Sequence, residues 1–355
     1  MTPERLQELL SSFADRRIAV LGDFFLDKYL EVDPALGEPS LETGRTAHQV
    51  VQRRRSPGAA GTVVNNLVEL GATEIHALGA IGDDGEAYDL CKGLEQLGCS
   101  TNGLLRCPEL MTPTYLKPRD FGVQGLVGEH SRYDTMNRQP TPSSVISRLA
   151  AALGHILPNI DALIVMDQVE MPDCGVVTTA MRDILSEQAA RFPRVLFWAD
   201  SRRNVRQFRR IVTKPNQFEA VGRVNPLPGD EVSRTDLWTV IPRLRAETQA
   251  PVFVTWGEKG MVISDPEPLL IPGVQLKGPF DPTGAGDSAT AGAVLTLASG
   301  GSPAESALVG NLVASVTVRK LGTTGTASPS EVQAAFTLWR EQHTGVNIER
   351  GPTTR

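Results

Sequence analysis

The residues best able to do chemistry stand late in the chain, in the run Asp281-Pro282-Thr283-Gly284-Ala285-Gly286-Asp287-Ser288, which leads into the small and apolar stretch Ala289 to Ala298. Two glycines let the backbone turn tightly and leave its N–H groups uncovered, while the helix that follows aims its positive end at the same point. That combination seats an anion. A carboxylate in the first turn, Asp287, sets a proton acceptor beside the anion, which suits a hydroxyl attacking a phosphoryl group. The same residues also fit a tight loop whose acid merely complements the helix dipole. The sequence has no GxxxxGK[ST] motif, so a Walker-type phosphate loop is not the explanation.

Composition narrows the partners. The chain has 355 residues and a net charge of −6, which argues against nucleic acid or an anionic membrane as its main partner. Four cysteines, Cys91, Cys99, Cys107 and Cys174, show neither CxxC nor zinc-type spacing, so a reducing cytoplasm is the expected location. The N-terminus carries Leu6, Leu9, Leu10 and Phe13 at helical spacing with charges between them, unlike a secretion signal. No stretch has the length and apolarity of a membrane span.

The elements that must position these residues alternate. Ile18 to Leu21, Ile75 to Leu78, Ala162 to Met166, Val195 to Trp198 and Val252 to Thr255 read as buried strands, with helices near 62–70, 86–97, 142–153, 174–191 and 235–247. The alternation predicts an α/β fold with a mostly parallel sheet covered by helices on both faces, and ligands at the strand C-terminal ends. Gly22-Asp23, Asp167, Asp200, Asn216 and Gly257 follow those ends and outline one rim, although each alone suits a cap or turn. Tyr29 to Arg55 and Thr112 to Asp134 break the rhythm and read as exposed β-structure, a small accessory sheet. Arg202, Arg203, Arg206, Arg209 and Arg210 are expected on the wet side of a helix, and the tail from 343 to 355 as a loose segment.

From Ile18 to about Ser328 the chain resembles the ribokinase-like (PfkB) family of carbohydrate kinases. The likeness rests on motifs that arrive in order: Gly22-Asp23 with Asp27, Pro57-Gly58-Ala59-Ala60-Gly61, Gly79 to Asp83, Asn216-Gln217-Phe218-Glu219, Thr255-Trp256-Gly257-Glu258-Lys259-Gly260, and the octet ending in Asp287. Thr112-Pro113-Thr114, Arg132-Tyr133-Asp134 and Lys320-Leu321-Gly322-Thr323 are similar to the kinase that phosphorylates heptose 7-phosphate at its anomeric hydroxyl. The resemblance implies a single ribokinase-like domain over 1–355, a Rossmannoid three-layer sandwich with a small β-sheet lid from segments about 29–55 and 112–134.

What the resemblance implies for the site is specific. Asp287 would take the proton from the sugar hydroxyl while the N–H groups of Gly284, Ala285 and Gly286 hold the transferred phosphate. Asp27, Gly58 and Asn65 (or its neighbour Asn66) would meet the sugar, although both asparagines also suit exposed helix positions. A sugar phosphate needs cations, which Lys117, Arg119 and Arg132 offer, whereas the run Arg53 to Arg55 reads first as a solvated face and second as a phosphate site. Asn216 and Glu219 would organise Mg²⁺ near the phosphates of ATP, Thr255, Gly257 and Gly260 would border the nucleotide, and Asn311 and Gly322 its adenine. Asp281 would contribute to a monovalent-cation site, as in some relatives. Exposed lid strands would let two copies pair as a homodimer.

Three departures from the family pattern bear on the acceptor. Ala59 and Thr62 replace a glycine and an asparagine, Asp167-Gln168-Val169-Glu170 stands where the heptose kinase places a lysine, and no HxGH marks the nucleotidyltransferase that often follows that kinase. A ketose, a sugar acid or a nucleoside is the alternative acceptor, and a non-catalytic sugar or nucleotide sensor the alternative class.

Overall fold

The structure is a computed structural model and describes residues 1–123, 126–227, 229–321, 324–344 and 351. Helix α1 (Pro3–Ser12), started by Thr2 accepting from the Arg5 N–H, precedes β1 (Arg17–Gly22), which is buried from its second residue onward. After the single residue Asp23 the chain leaves the body as a long hairpin, β2 (Phe24–Pro39) and β3 (Thr46–Ala59), and re-enters as α2 (Ala60–Glu69). Then come β4 (Glu74–Ile81), α3 (Gly85–Gln96), β5 (Ser100–Arg106), and two short strands that join the hairpin, β6 (Thr114–Asp120) and β7 (Tyr133–Thr135). The second half runs α4 (Ser143–Ile156), β8 (Ala162–Asp167), α5 (Thr179–Arg191), β9 (Leu196–Ser201) and β10 (Val212–Thr213). It closes with α6 (Gln217–Val221), α7 (Arg234–Thr248), β11 (Phe253–Thr255), β12 (Gly260–Ile263), β13 (Leu269–Pro272), α8 (Ala285–Ala298), α9 (Pro303–Thr317) and α10 (Pro329–Gln342).

The central sheet has six parallel strands in the order β10-β9-β8-β1-β4-β5. Strand order reverses between β1 and β8, and a crevice opens at such a switch point beyond the strand C-termini. Alternation along β1 builds a core on each face. Ile18 and Val20 pack with α1, α2, α8, α9 and α10 through Leu6, Val64, Val294, Leu312 and Phe336, whereas Ala19 and Leu21 pack with α4 and α5 through Leu149 and Met181.

The expected parallel strand over 252–255 differs in kind. Phe253–Thr255 pairs antiparallel with β12 in a separate three-stranded sheet and touches the β10 side only through the bridges Thr213↔Val252 and Asn216↔Thr255. A third apolar cluster, with Leu237, Ile241, Val252, Val254 and Trp256, explains its burial without placing it in the main sheet. The accessory sheet forms in the order β3-β2-β6-β7 and starts earlier than Tyr29, at Phe24, because β2 continues directly from β1. Most of the tail expected to be loose lies outside the described residues. Among the described residues no helix is long and apolar enough to cross a membrane.

Candidate active site

The glycine turn before α8 forms as its composition dictates. Gly284 adopts φ +78°, a left-handed conformation that disfavours side chains, and no side chain caps the helix it begins. The Ala285 N–H is spent within the turn on the Pro282 carbonyl at 3.1 Å, so the first-turn amides of Gly286 and Asp287 are the donors left for an anion. Asp281 stabilises the same turn by accepting from the Thr283 N–H at 2.9 Å, and its own N–H ties the loop to Val318.

Asp287 lies half-buried on the floor of a cleft of ≈ 550 Å³ that also contains Asp200, Lys214, Asn216, Glu219 and Thr255. Burial, reinforced by the Asp200 carboxylate and opposed by Lys214 and Arg202, pushes its pKa up to about 7. Lys214 is buried with its Nζ 2.8 Å from Asp200 Oδ2; burial alone would favour the neutral amine, but the Asp200 charge overrides it and keeps the ammonium. A Cβ on Gly286 would come within 3.4 Å of Lys214 Nζ, so the ammonium sits beside the amides of the turn. Thr290 Oγ1 on α8 holds Asp200 Oδ2 at 3.3 Å and fixes the cluster from the far side.

Asn216 and Glu219 form a capping box on α6. Asn216 Oδ1 accepts from the N–H groups of Phe218 and Glu219, and Glu219 Oε2 accepts from the Asn216 N–H at 2.7 Å. Burial and then Asp200 raise the Glu219 carboxyl to about 7, with the Asn216 N–H, Lys214 and Arg202 opposing. A hard carboxylate oxygen in an open cleft, repelled by a second carboxylate, is chemistry that a divalent cation relieves, so this donor set fits Mg²⁺ with phosphate oxygens and water completing the shell. Among the described residues no three His, Cys, Asp or Glu side chains gather into a protein-only metal cage.

The expected nucleotide residues divide. Gly257 lies in the turn between β11 and β12, and Gly260 ends it with φ +109°, where a Cβ would lie 2.2 Å from the Ile271 carbonyl oxygen, so the small sheet itself demands glycine. Asn311 donates its amide to the carbonyls of Ile271 (2.9 Å) and Pro272 (3.4 Å), tying α9 to β13. One helical turn along α9, a groove of ≈ 350 Å³ passes Val274, Leu276, Ser315, Val316 and Arg319. Gly322 lies outside the described residues.

On the other side of the crevice, Asp27 is nearly buried and its Oδ1 accepts from Lys117 Nζ at 2.7 Å. A Cβ at Gly58, which pairs with Phe25 two positions along β2, would stand 2.6 Å from Asp27 Oδ2, a contact only glycine avoids there. Lys117 also lies over the rings of Tyr29 and Tyr115, and Arg132 stacks on Tyr115 while gripping Asp134 with two bonds of 2.7 Å. Arg54 pairs with Glu31 and Arg55 with Asp89, so two of the three consecutive arginines are committed within the protein. Asn65 is half-buried on α2; Asn66 is fully buried, donates to the Thr62 carbonyl at 2.9 Å, and supports the helix rather than facing solvent. Thr62 Cγ2 would be 3.6 Å from a Cβ on Gly284, so α2 lies against the glycine turn.

Sequence reasoning missed the Asp200–Lys214 pair, because the partners come from different strand ends, and it misplaced the arginines after β9. Arg202 to Arg210 do not form a helix face: Arg202 and Arg203 follow β9 directly and line the cleft, and only a short turn, Val205–Gln207, is helical. Val205, Phe208, Ile211 and Val212 recur at helical spacing between the arginines and are buried, so periodicity alone favours a helix that the chain does not form.

A family model described as pfkB family carbohydrate kinase matches residues 18–330. Among curated proteins, the bifunctional protein HldE of Desulfatibacillum aliphaticivorans is 27% identical over 332 residues, covering 92% of this chain and 64% of that protein. HldE of Vibrio parahaemolyticus is 27% identical over 346 residues, covering 97% and 68%. This chain thus spans just under two thirds of the former relative. Among solved structures, Escherichia coli phosphofructokinase-2 in complex with potassium superposes with a TM-score of 0.70 at 18% identity, covering 92% of this chain and 100% of that one. Ribokinase from Thermotoga maritima gives 0.60 at 19%, covering 91% and 99%. These likenesses assign the fold: a ribokinase-like three-layer α/β sandwich.

Proposed function

Since this chain belongs to the pfkB family of carbohydrate kinases, we propose that it transfers the γ-phosphoryl group of ATP to the anomeric hydroxyl of a heptose 7-phosphate. The observation that carries the phosphotransfer chemistry is the convergence of Asp287, the uncapped amides of the glycine turn and the Lys214 ammonium on one cleft floor, within reach of Thr62 on the acceptor side. In the step itself the acceptor oxygen bonds to the γ-phosphorus as its proton passes to the Asp287 carboxylate. The bond to the bridging oxygen breaks, and ADP departs with that electron pair. The amides of Gly286 and Asp287 and the Lys214 ammonium meet the charge that spreads over the phosphoryl oxygens, and a positioned base of this kind contributes about 10²- to 10⁴-fold in rate.

Glu219 would hold Mg²⁺, with Asn216 ordering its surroundings, and the ion when bound neutralises phosphate charge. Thr255 borders the nucleotide and the groove beside α9 accepts its adenine. Asp281 is the proposed contributor to a monovalent-cation site, a reading supported by the potassium complex of the bacterial phosphofructokinase-2. Asp27 accepts from sugar hydroxyls with the oxygen that Lys117 leaves open, and Lys117 and Arg132 supply cations for a phosphorylated acceptor. The unfavourable charge that Glu170 brings to this side is met by Arg203, to which it is hydrogen-bonded. We place the enzyme in the cytoplasm.

The test is a coupled ADP-release screen of sugars, sugar acids, nucleosides and their phosphates, with D-glycero-D-manno-heptose 7-phosphate included. Turnover with that sugar phosphate supports the reading. Activity confined to unphosphorylated acceptors removes the heptose phosphate, and ATP binding with no acceptor-dependent turnover removes catalysis altogether.

A further inference from the structure

We propose that Arg202 is a catalytic residue that grips the phosphoryl group in transit, its guanidinium standing in the cleft that holds Asp287. The inference rests on the phosphotransfer reading above but adds a residue that the motif pattern does not supply.

Arg202 follows β9 directly and lines the same cleft as Asp287, Lys214 and Glu219. Its main chain is anchored, the N–H donating to the Asp167 carbonyl at 3.2 Å, and its Nε donates to Gln168 Oε1 at 2.9 Å. Those two bonds fix where the guanidinium starts, and its Nη1 faces Glu170 Oε1 at 3.9 Å, an ion pair too long to be a hydrogen bond. The other oxygen of Glu170, Oε2, is held by Arg203 through both Nε and Nη2. Two other arginines of this region are engaged elsewhere: Arg206 with Glu247 and the Ala220 carbonyl, and Arg182 with the Val177 carbonyl and Thr179.

Its position shows in the walls of that cleft. Gly284, Gly286 and Asp287 of the glycine turn line it together with Arg202, and the charge of Arg202 opposes the rise that burial gives the Asp287 carboxyl. A planar fork, about half exposed in the same cleft as an uncapped helix end and held by Glu170 only at 3.9 Å, matches two oxygens of a trigonal phosphoryl group in a way that a single ammonium does not. During transfer, as the acceptor oxygen bonds to the γ-phosphorus and ADP leaves with the electrons of the broken bond, those oxygens carry the charge for Arg202 to meet.

The probe is aluminium fluoride with MgADP, which imitates the phosphoryl group in flight and needs no knowledge of the acceptor. Calorimetry of the full chain would compare MgADP affinity with and without aluminium fluoride. Wild type should bind more tightly with it. Arg202→Gln should keep the affinity for MgADP alone while losing on the order of 10²-fold of that tightening, and Arg202→Lys should recover part of it. Equal tightening in Arg202→Gln and wild type overturns the role of Arg202 and leaves the phosphotransfer reading intact. An equal loss with and without aluminium fluoride also overturns it, because the arginine then only binds nucleotide. A wild type that gains nothing from aluminium fluoride overturns the phosphotransfer reading and this role together.

Discussion

At the scale of single residues, the site is poised by burial rather than by a strong partner. Asp287 has a carboxyl raised from 3.8 to about 7, chiefly because it is desolvated and then because Asp200 is near. The folded protein therefore holds a proton that the unfolded chain releases, and its contribution to stability declines as pH rises from about 4 to about 7. Asp287→Asn should thus raise the melting temperature at about pH 8 and leave it nearly unchanged at about pH 4, while turnover falls by about 10²- to 10⁴-fold with nucleotide binding retained. Differential scanning fluorimetry across pH and the ADP-release assay read the two effects separately. Wild-type kcat should climb with pH through an apparent pKa near 7 as Asp287 becomes the base. Ala59 offers a second residue-scale test. It precedes α2 with φ +52° and ψ −115°, where a side chain costs about 1–3 kcal/mol. Ala59→Gly relieves that strain against an unfolded-state penalty of about 0.4–1 kcal/mol, so the urea midpoint should rise by an amount equivalent to about 1 kcal/mol.

At the scale of elements, helix starts and strand ends are where structure and chemistry share residues. Asn216 and Glu219 cap α6 and face the cleft at once, so the cap and the functional reading of that motif are one geometry. Asn311 is different: its amide is occupied by two carbonyls of β13, and Asn311→Ala should cost about 1–3 kcal/mol in thermal or urea unfolding, chiefly through the lost bond to Ile271, since the Pro272 carbonyl keeps Trp339 Nε1 at 2.8 Å. The central strands were legible because each is a short buried run of Ile, Val, Leu or Ala. β5, with the polar start Ser100-Thr101-Asn102, and β10, only two residues long, carry no such signal. The glycine turn and Asp287 could be read because neighbours in sequence make them. The pairing of Lys214 with Asp200, and of Lys117 with Asp27 across 90 positions, could not, because it depends on which strands lie side by side.

At the scale of the whole molecule, the lid presents Val50 at 44% and Val51 at 45% exposure on a long hairpin, an apolar edge that a second lid would cover. If two copies pair there, Val51→Glu should halve the mass measured by light scattering without changing the helical circular dichroism. If the accessory sheet closes over the proposed acceptor it would exclude water from the transferring phosphate, and ATP hydrolysis without acceptor should then remain slow against sugar-dependent turnover in the same assay.

The route from β1 into β2 carries one more consequence. Only Asp23 separates the spine of the sheet from its cover, and that carboxylate accepts the N–H groups of Gln168, Val169 and Val176 while Asp27 stands four positions further on. If Asp27 reads the acceptor as proposed and the accessory sheet moves over it, the hinge and the reader are the same short piece of chain. A change that retunes which sugar is accepted would then also retune how stiffly the cover swings, so shifts in preference and shifts in opening rate should be inherited together rather than selected apart.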